Sequence, residues 1–115
     1  MARPLLPDPL ERRVLLEKQL DAAHALRIAD AYLAEERVIE ALAFLSRAGA
    51  TDRLMALREQ AVATGDAFLL REVCRELGQP PAAPEWRSLS DAAEAAGKLR
   101  YADQGRRQLG RTVEG

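Results

Sequence analysis

Nucleophilic catalysis and metal binding near neutral pH draw most often on cysteine and histidine. This 115-residue chain has one of each, Cys74 and His24. A tetrahedral Cys/His zinc site needs four such ligands, and a disulfide framework needs paired cysteines, so both are almost excluded. The one possible Cys–His nucleophilic pair is Cys74 with His24. Cys74 lies in an apolar helical stretch with Phe68, Leu69, Leu70, Val73 and Leu77, and reads as a buried, inert thiol. His24 has Asp21 three residues before it, a spacing that shares one helix face. It has no second histidine and no His-Glu-x-x-His spacing to complete a metal site, so it reads as a surface or partly packed residue. Gly105-Arg106-Arg107-Gln108-Leu109-Gly110 carries two glycines but lacks the Lys-Ser/Thr ending and preceding strand of a phosphate loop. No Gly-x-Ser-x-Gly elbow occurs. Glu35 and Glu36 are sequence neighbours, which a helix does not bring face to face. No catalytic, metal or cofactor site is expected, and the chain does not read as an enzyme.

Composition agrees. Apolar residues make up 48% of the chain and aromatics only 4%, so the apolar content is chiefly Ala and Leu, both strong helix formers. Lys and Arg number 17 against 18 Asp and Glu, for a net charge of -1. That balance argues against a bulk-charge nucleic-acid binder and against an acidic disordered tail. No stretch has the 18 or more apolar residues of a membrane span, and residues 1–9 lack the apolar run of a signal peptide. A cytoplasmic protein without membrane contact is expected.

The elements that would position these residues are all helical. Strand alternation and hairpin-turn dipeptides are missing. Asp8 followed by Pro9 is a helix start. Leu10, Val14, Leu15 or Leu16, Leu20, Ala23 and Leu26 continue at helical spacing, with no Gly or Pro between Leu10 and Ala48. One long helix over 9–35, bent near Asp21, is favoured over two. A short helix with Val38, Ile39, Leu42, Phe44 and Leu45 ends at Gly49. Thr51 or Asp52 caps a helix that stops at Gly65, and Asp66 caps one that stops at Gly78. Residues 79–84, rich in proline, form a loop. Helices follow over 85–96 and 99–109. The expected organisation is a disordered segment 1–8, a single helical domain 9–109, and a frayed end 110–115.

Turns between paired helices fall at residues 36, 65 and 97, separated by 29 and 32 residues. Five positions beyond each stand Ala41, Leu70 and Ala102. Small residues such as Ala41 and Ala102 allow two helices to cross closely, and Trp86 is large enough to fill space between units. A helical hairpin cannot bury its apolar face alone, so such units must stack. The third unit has Trp86, Leu89, Ala93, Gly97 and Ala102; the second has Leu54, Leu57, Ala61, Gly65 and Leu70, with Pro80 at its end; the first has Ala31, Tyr32, Ala41, Phe44 and Ala48. Over residues 22–109 this resembles the tetratricopeptide repeat, with shorter spacings than its usual ~34 residues. Gly105 and Arg106 stand where apolar packing is expected.

The resemblance implies an all-α fold of antiparallel hairpins, stacked as a short right-handed superhelix. It also implies that the first helix of each unit lines a concave groove. The groove residues would be Leu26, Asp30 and Leu33; Met55, Glu59 and Val62; and Arg87, Asp91 and Glu94. Asp30, Glu59 and Asp91 would form an acidic ladder beside apolar patches, suited to a peptide or helix with basic and apolar residues. The expected function is therefore a protein–protein interaction module, as an adaptor, a chaperone-like binder or an assembly subunit. Leu5, Leu6 and Leu10 offer a second reading, a homodimer paired through the N-terminal helix. Lys98, Arg100, Arg106, Arg107 and Arg111 against Asp103 alone make the C-terminal helix basic. Its only nearby aromatic is Tyr101, so a polar capping helix is preferred to a nucleic-acid surface.

Overall fold

An α-helix leaves its first N–H groups unsatisfied, and a carboxylate at the N-cap supplies an acceptor. Three aspartates do this here. Asp8 accepts from Glu11 N at 2.8 Å, Asp21 from His24 N at 2.7 Å and Asp66 from Leu69 N at 3.0 Å. They open three of the seven helices of the computed structural model, which describes residues 6–114, with side chains to residue 111. The helices are α1 (Pro9–Glu17), α2 (Ala22–Ala34), α3 (Val38–Arg47), α4 (Thr51–Thr64), α5 (Ala67–Leu77), α6 (Ala83–Ala95) and α7 (Leu99–Glu114). Among the described residues there is no strand. The chain groups into two compact units, Met1–Leu54 and Met55–Gly115, divided within α4.

Several boundaries differ from the sequence reading. The long helix over 9–35 is two helices. Lys18 and Asp21 are both extended, and Asp21 restarts the helix through its cap. Arg12 Nη2 donates to Glu40 O at 3.0 Å, and Arg47 Nη2 donates to Leu16 O at 2.7 Å. These bonds lay α1 back along α3. An unbroken helix would instead run past the C-terminal end of α3. Thr51 and Asp52 lie inside the first turn of α4. Ala83 and Pro84 belong to α6, with Pro84 in its first turn, where proline's missing N–H costs nothing. The loop is therefore only 79–82. Helix α7 continues through 110–114, where fraying was expected. Of the expected disordered segment, residues 1–5 lie outside the described residues, and Asp8 is ordered as the cap of α1.

The three hairpin turns share one backbone geometry. Glu36, Gly65 and Gly97 all have positive φ, at 59°, 70° and 75°. The next residue bonds back to the first helix each time: Arg37 N to Tyr32 O, Asp66 N to Ala61 O, and Lys98 N to Ala93 O. This is the Schellman closure, which satisfies carbonyls that the helix end leaves open. The predicted crossing residues Ala41 and Ala102 are buried, and so is Leu70 at the equivalent position of the second hairpin.

In the first unit α2 packs on α3 around Tyr32, Phe44 and Leu45, each fully buried. Tyr32 and Phe44 stack with ring centroids 5.8 Å apart. The Arg12 guanidinium lies 5.6 Å from the Phe44 centroid and that of Arg37 5.1 Å from the Tyr32 centroid, both within cation–π range. The Tyr32 hydroxyl is buried without a hydrogen-bond partner among the described residues. In the second unit α6 packs on α7, and α5 touches α7. Buried there are Leu70, Val73, Trp86, Leu89 and Ala93.

Two glycines set the close approaches in this second unit. A Cβ on Gly65 would lie 2.5 Å from Ala93 Cα, and Gly65 is also left-handed. A Cβ on Gly105 would lie 2.1 Å from Ser90 Oγ and 3.2 Å from Trp86 O. The missing side chain at Gly105, which looked like a packing defect, is what lets α7 seat on α6.

Gly65→Ala should lower unfolding stability by about 2–4 kcal/mol from left-handed strain and overpacking. Gly105→Ala should lose about 1–3 kcal/mol, partly restored by adding Ser90→Ala. Urea denaturation measures both. Tyr32→Phe removes an unpartnered buried hydroxyl and should be neutral or stabilising by about 1 kcal/mol in the same assay.

Candidate partner-binding surface

Residues at i, i+4 and i+7 share one helix face. Three helices each present such a triplet from the predicted groove set. In the first unit α2 carries Leu26 and Leu33, both half-buried, and Asp30, exposed. Asp30 is committed within the fold, since its Oδ1 accepts from Arg53 Nη2 at 2.7 Å.

The second unit holds the other two triplets. On α4, Met55 and Glu59 are exposed and Val62 is half-buried. On α6, Arg87, Asp91 and Glu94 are exposed. Glu94 is ion-paired with Arg106 of α7. Glu59 and Asp91 make no ion pair among the described residues. The second unit thus carries Met55, Glu59 and Val62 on α4 and Arg87 and Asp91 on α6, and Glu59 and Asp91 have no ion pair among the described residues. Neutralisation of Asp30 by Arg53 and of Glu94 by Arg106 has no local signal, because these pairs link residues 23 and 12 positions apart.

The register between α4 and α6 is set by a side chain next to Glu59. Arg58 is 8% exposed, and such a charge requires pairing. Its Nε and Nη2 donate to the two Glu85 oxygens at 2.7 and 2.6 Å. Nη2 also donates to Pro80 O at 3.3 Å, so the proline-rich loop is drawn into the same contact. Glu85 Oε1 further accepts from Ala82 N at 2.9 Å, which starts α6. The Arg58 hydrogen bonds hold the Glu85 carboxyl below the usual carboxylate range, and Glu85 in turn raises Arg58. At the far end of α4, Lys98 Nζ donates to Thr64 O at 2.8 Å.

Other chemistry-bearing side chains do not converge. Cys74 is buried, and desolvation raises its thiol above the usual range. His24 borders a cleft of about 280 Å³ in the first unit, with Leu6, Glu11, Leu15, Arg27 and Ile28. The Asp21 carboxylate caps α2 through the His24 backbone N–H. Among the described residues no group of three His, Cys, Asp or Glu side chains is placed to hold a metal ion. No described helix is long and apolar enough to cross a membrane. No family model, curated protein or solved structure matches the chain.

Breaking the partly buried Arg58–Glu85 pair should be measurable. Glu85→Gln leaves the Arg58 charge without its carboxylate and should cost about 1–3 kcal/mol at pH 7. A carboxylate with a lowered folded pKa contributes its stability above its unfolded pKa and loses it as pH falls through the folded value. The gap between wild type and Glu85→Gln should therefore hold above about pH 5 and close in more acid solution. Denaturation series from pH 7 to 2.5 read it.

Proposed function

We propose that the chain is a non-catalytic protein–protein interaction module of tetratricopeptide-like hairpins, acting in the cytoplasm as an adaptor or assembly subunit. Its partner is a peptide or helix with basic and apolar side chains, held along α4 and α6. The observation that carries this reading is exposed Met55 one helical turn from Glu59 on α4, together with exposed Asp91 on α6, both carboxylates having no ion-pair partner among the described residues. A methionine side chain adapts its shape to an apolar partner group. Uncommitted carboxylates beside it attract Lys or Arg and set register and encounter rate. The recurrence of one turn geometry at residues 36, 65 and 97 supports the repeat reading. The rigid Arg58–Glu85 contact under the surface supports a preformed site, which lowers the entropic cost of binding.

The test is fluorescence anisotropy with a synthetic helical peptide carrying Lys and Leu at alternating three- and four-residue spacing. Glu59→Lys and Asp91→Lys should each weaken binding about tenfold at low salt, and Arg87→Glu should tighten it. Affinity unchanged by Glu59→Lys refutes the proposal.

A further inference from the structure

Helix α7 has two faces of different character. Ala102 and Gly105 are buried and Leu109 is half-buried, on the side that meets α6. On the opposite side stand Arg100, Gln104, Arg107 and Arg111, at positions i, i+4, i+7 and i+11. At about 100° per residue the three arginines fall within roughly 40° of one another. All three are exposed and have no ion pair among the described residues. The carboxylates nearby go elsewhere: Glu94 pairs with Arg106, which lies off the stripe, and Asp103 lies 3.8 Å from that same Arg106. Arg71 of α5 donates to Gln104 Oε1 at 3.0 Å, which brings a fourth guanidinium to the stripe. Between Arg100 and Arg107 is a concavity of about 270 Å³, floored by Asp103 and Gln104.

We propose that this outward face of α7 docks an acidic helix of another protein, with Glu or Asp side chains at matching 4-3-4 spacing. Such a stripe is the contact line of two helices packed at a small angle. Successive guanidinium groups rise about 10.5 and 6 Å along the axis, which is also the rise of carboxylates at i, i+7 and i+11 on a partner helix. Arginine forks bind carboxylates through two hydrogen bonds, which fixes register as well as charge. A nucleic acid fits less well. A single aromatic, half-buried Tyr101, borders the stripe in a hollow shared with Arg100 and Gln104, and one ring is too little for a run of stacked bases. The net charge of -1 means that acids predominate away from the stripe. A long polyanion would meet them, whereas a short helix senses only charges within a screening length of about 8 Å. A second copy of this chain fits less well too, because none of its helices carries acids at that spacing. This surface is on the second helix of its hairpin and is independent of the α4–α6 reading.

The probes are two stapled helical peptides of identical composition. One has Glu aligned at i, i+4, i+7 and i+11, and the other has the same glutamates spread around the helix. Anisotropy with the full chain should show the aligned peptide binding at least tenfold more tightly. Arg100→Glu with Arg107→Glu should lose at least tenfold affinity for it and gain affinity for a peptide with Lys in the same places. Both arginines are exposed, so circular dichroism should be unchanged; if the variant melts, the peptide pair decides alone. Equal binding of the two peptides overturns the proposal. So does tighter binding of a short DNA duplex or of phosphatidylserine vesicles than of the aligned peptide, or a folded variant with unchanged affinity.

Discussion

Two helices joined by a turn of two or three residues share a core only where their backbones can come close, and the rest of this fold follows from how that closeness is achieved. Each hairpin closes with a left-handed residue and a hydrogen bond back across the turn. Small residues then stand at the crossings. Gly65 lies against the backbone of Ala93, and Gly105 against Ser90 and Trp86 O. A larger side chain at either place would push two helices apart and open the packing around Trp86, Leu89 and Val73. The Ala-rich composition is the chemical counterpart of this geometry.

Close packing of small and aliphatic side chains leaves the polar residues outside. Where a charge is drawn inward, it gains a partner, although the buried Arg12 Nε has none among the described residues. Arg58 joins α4, the loop at 79–82 and α6 through Glu85 and Pro80. In the first unit Arg12 lies over Phe44 while bonding Glu40 O, which fastens α1. These two arginines are structural. The surface charges that remain are sorted by their partners: Asp30 and Glu94 are neutralised, whereas Glu59, Asp91 and the arginines of the α7 stripe are not.

Much of the fold was legible because its signals are local. Asp8 and Asp66 cap helices where their sequence context predicted. Gly49 and Gly78 take the left-handed conformation at helix ends. The turns at 65 and 97 were readable from their glycines, and the turn at 36 from the charge run Glu35-Glu36-Arg37, which breaks the apolar pattern without a glycine. The break at residues 18–21 was legible only as a bend near Asp21, because it contains neither Gly nor Pro and its cause is the docking of α1 along α3. Pro84 read as a loop residue, yet proline is equally at home in a first helical turn. At the surface, the triplet faces were readable from 3.6-residue periodicity, but which acids were already paired was not, since those partners lie on other helices.

The sequence by itself determined that the chain is helical, where most helices begin and turn, and that it has a single cysteine and a single histidine. Those properties come from caps, periodicity and composition, which act over a few residues. Only the tertiary structure decided that Gly105 is a contact and not a defect, that Arg58 is held by Glu85, and that Arg106 takes up Glu94 while Arg100, Arg107 and Arg111 stay uncommitted. Each of those depends on distances of a few ångströms between residues distant in the chain. Coulomb attraction and steric exclusion are fixed by such distances and by burial, neither of which is written in the order of residues.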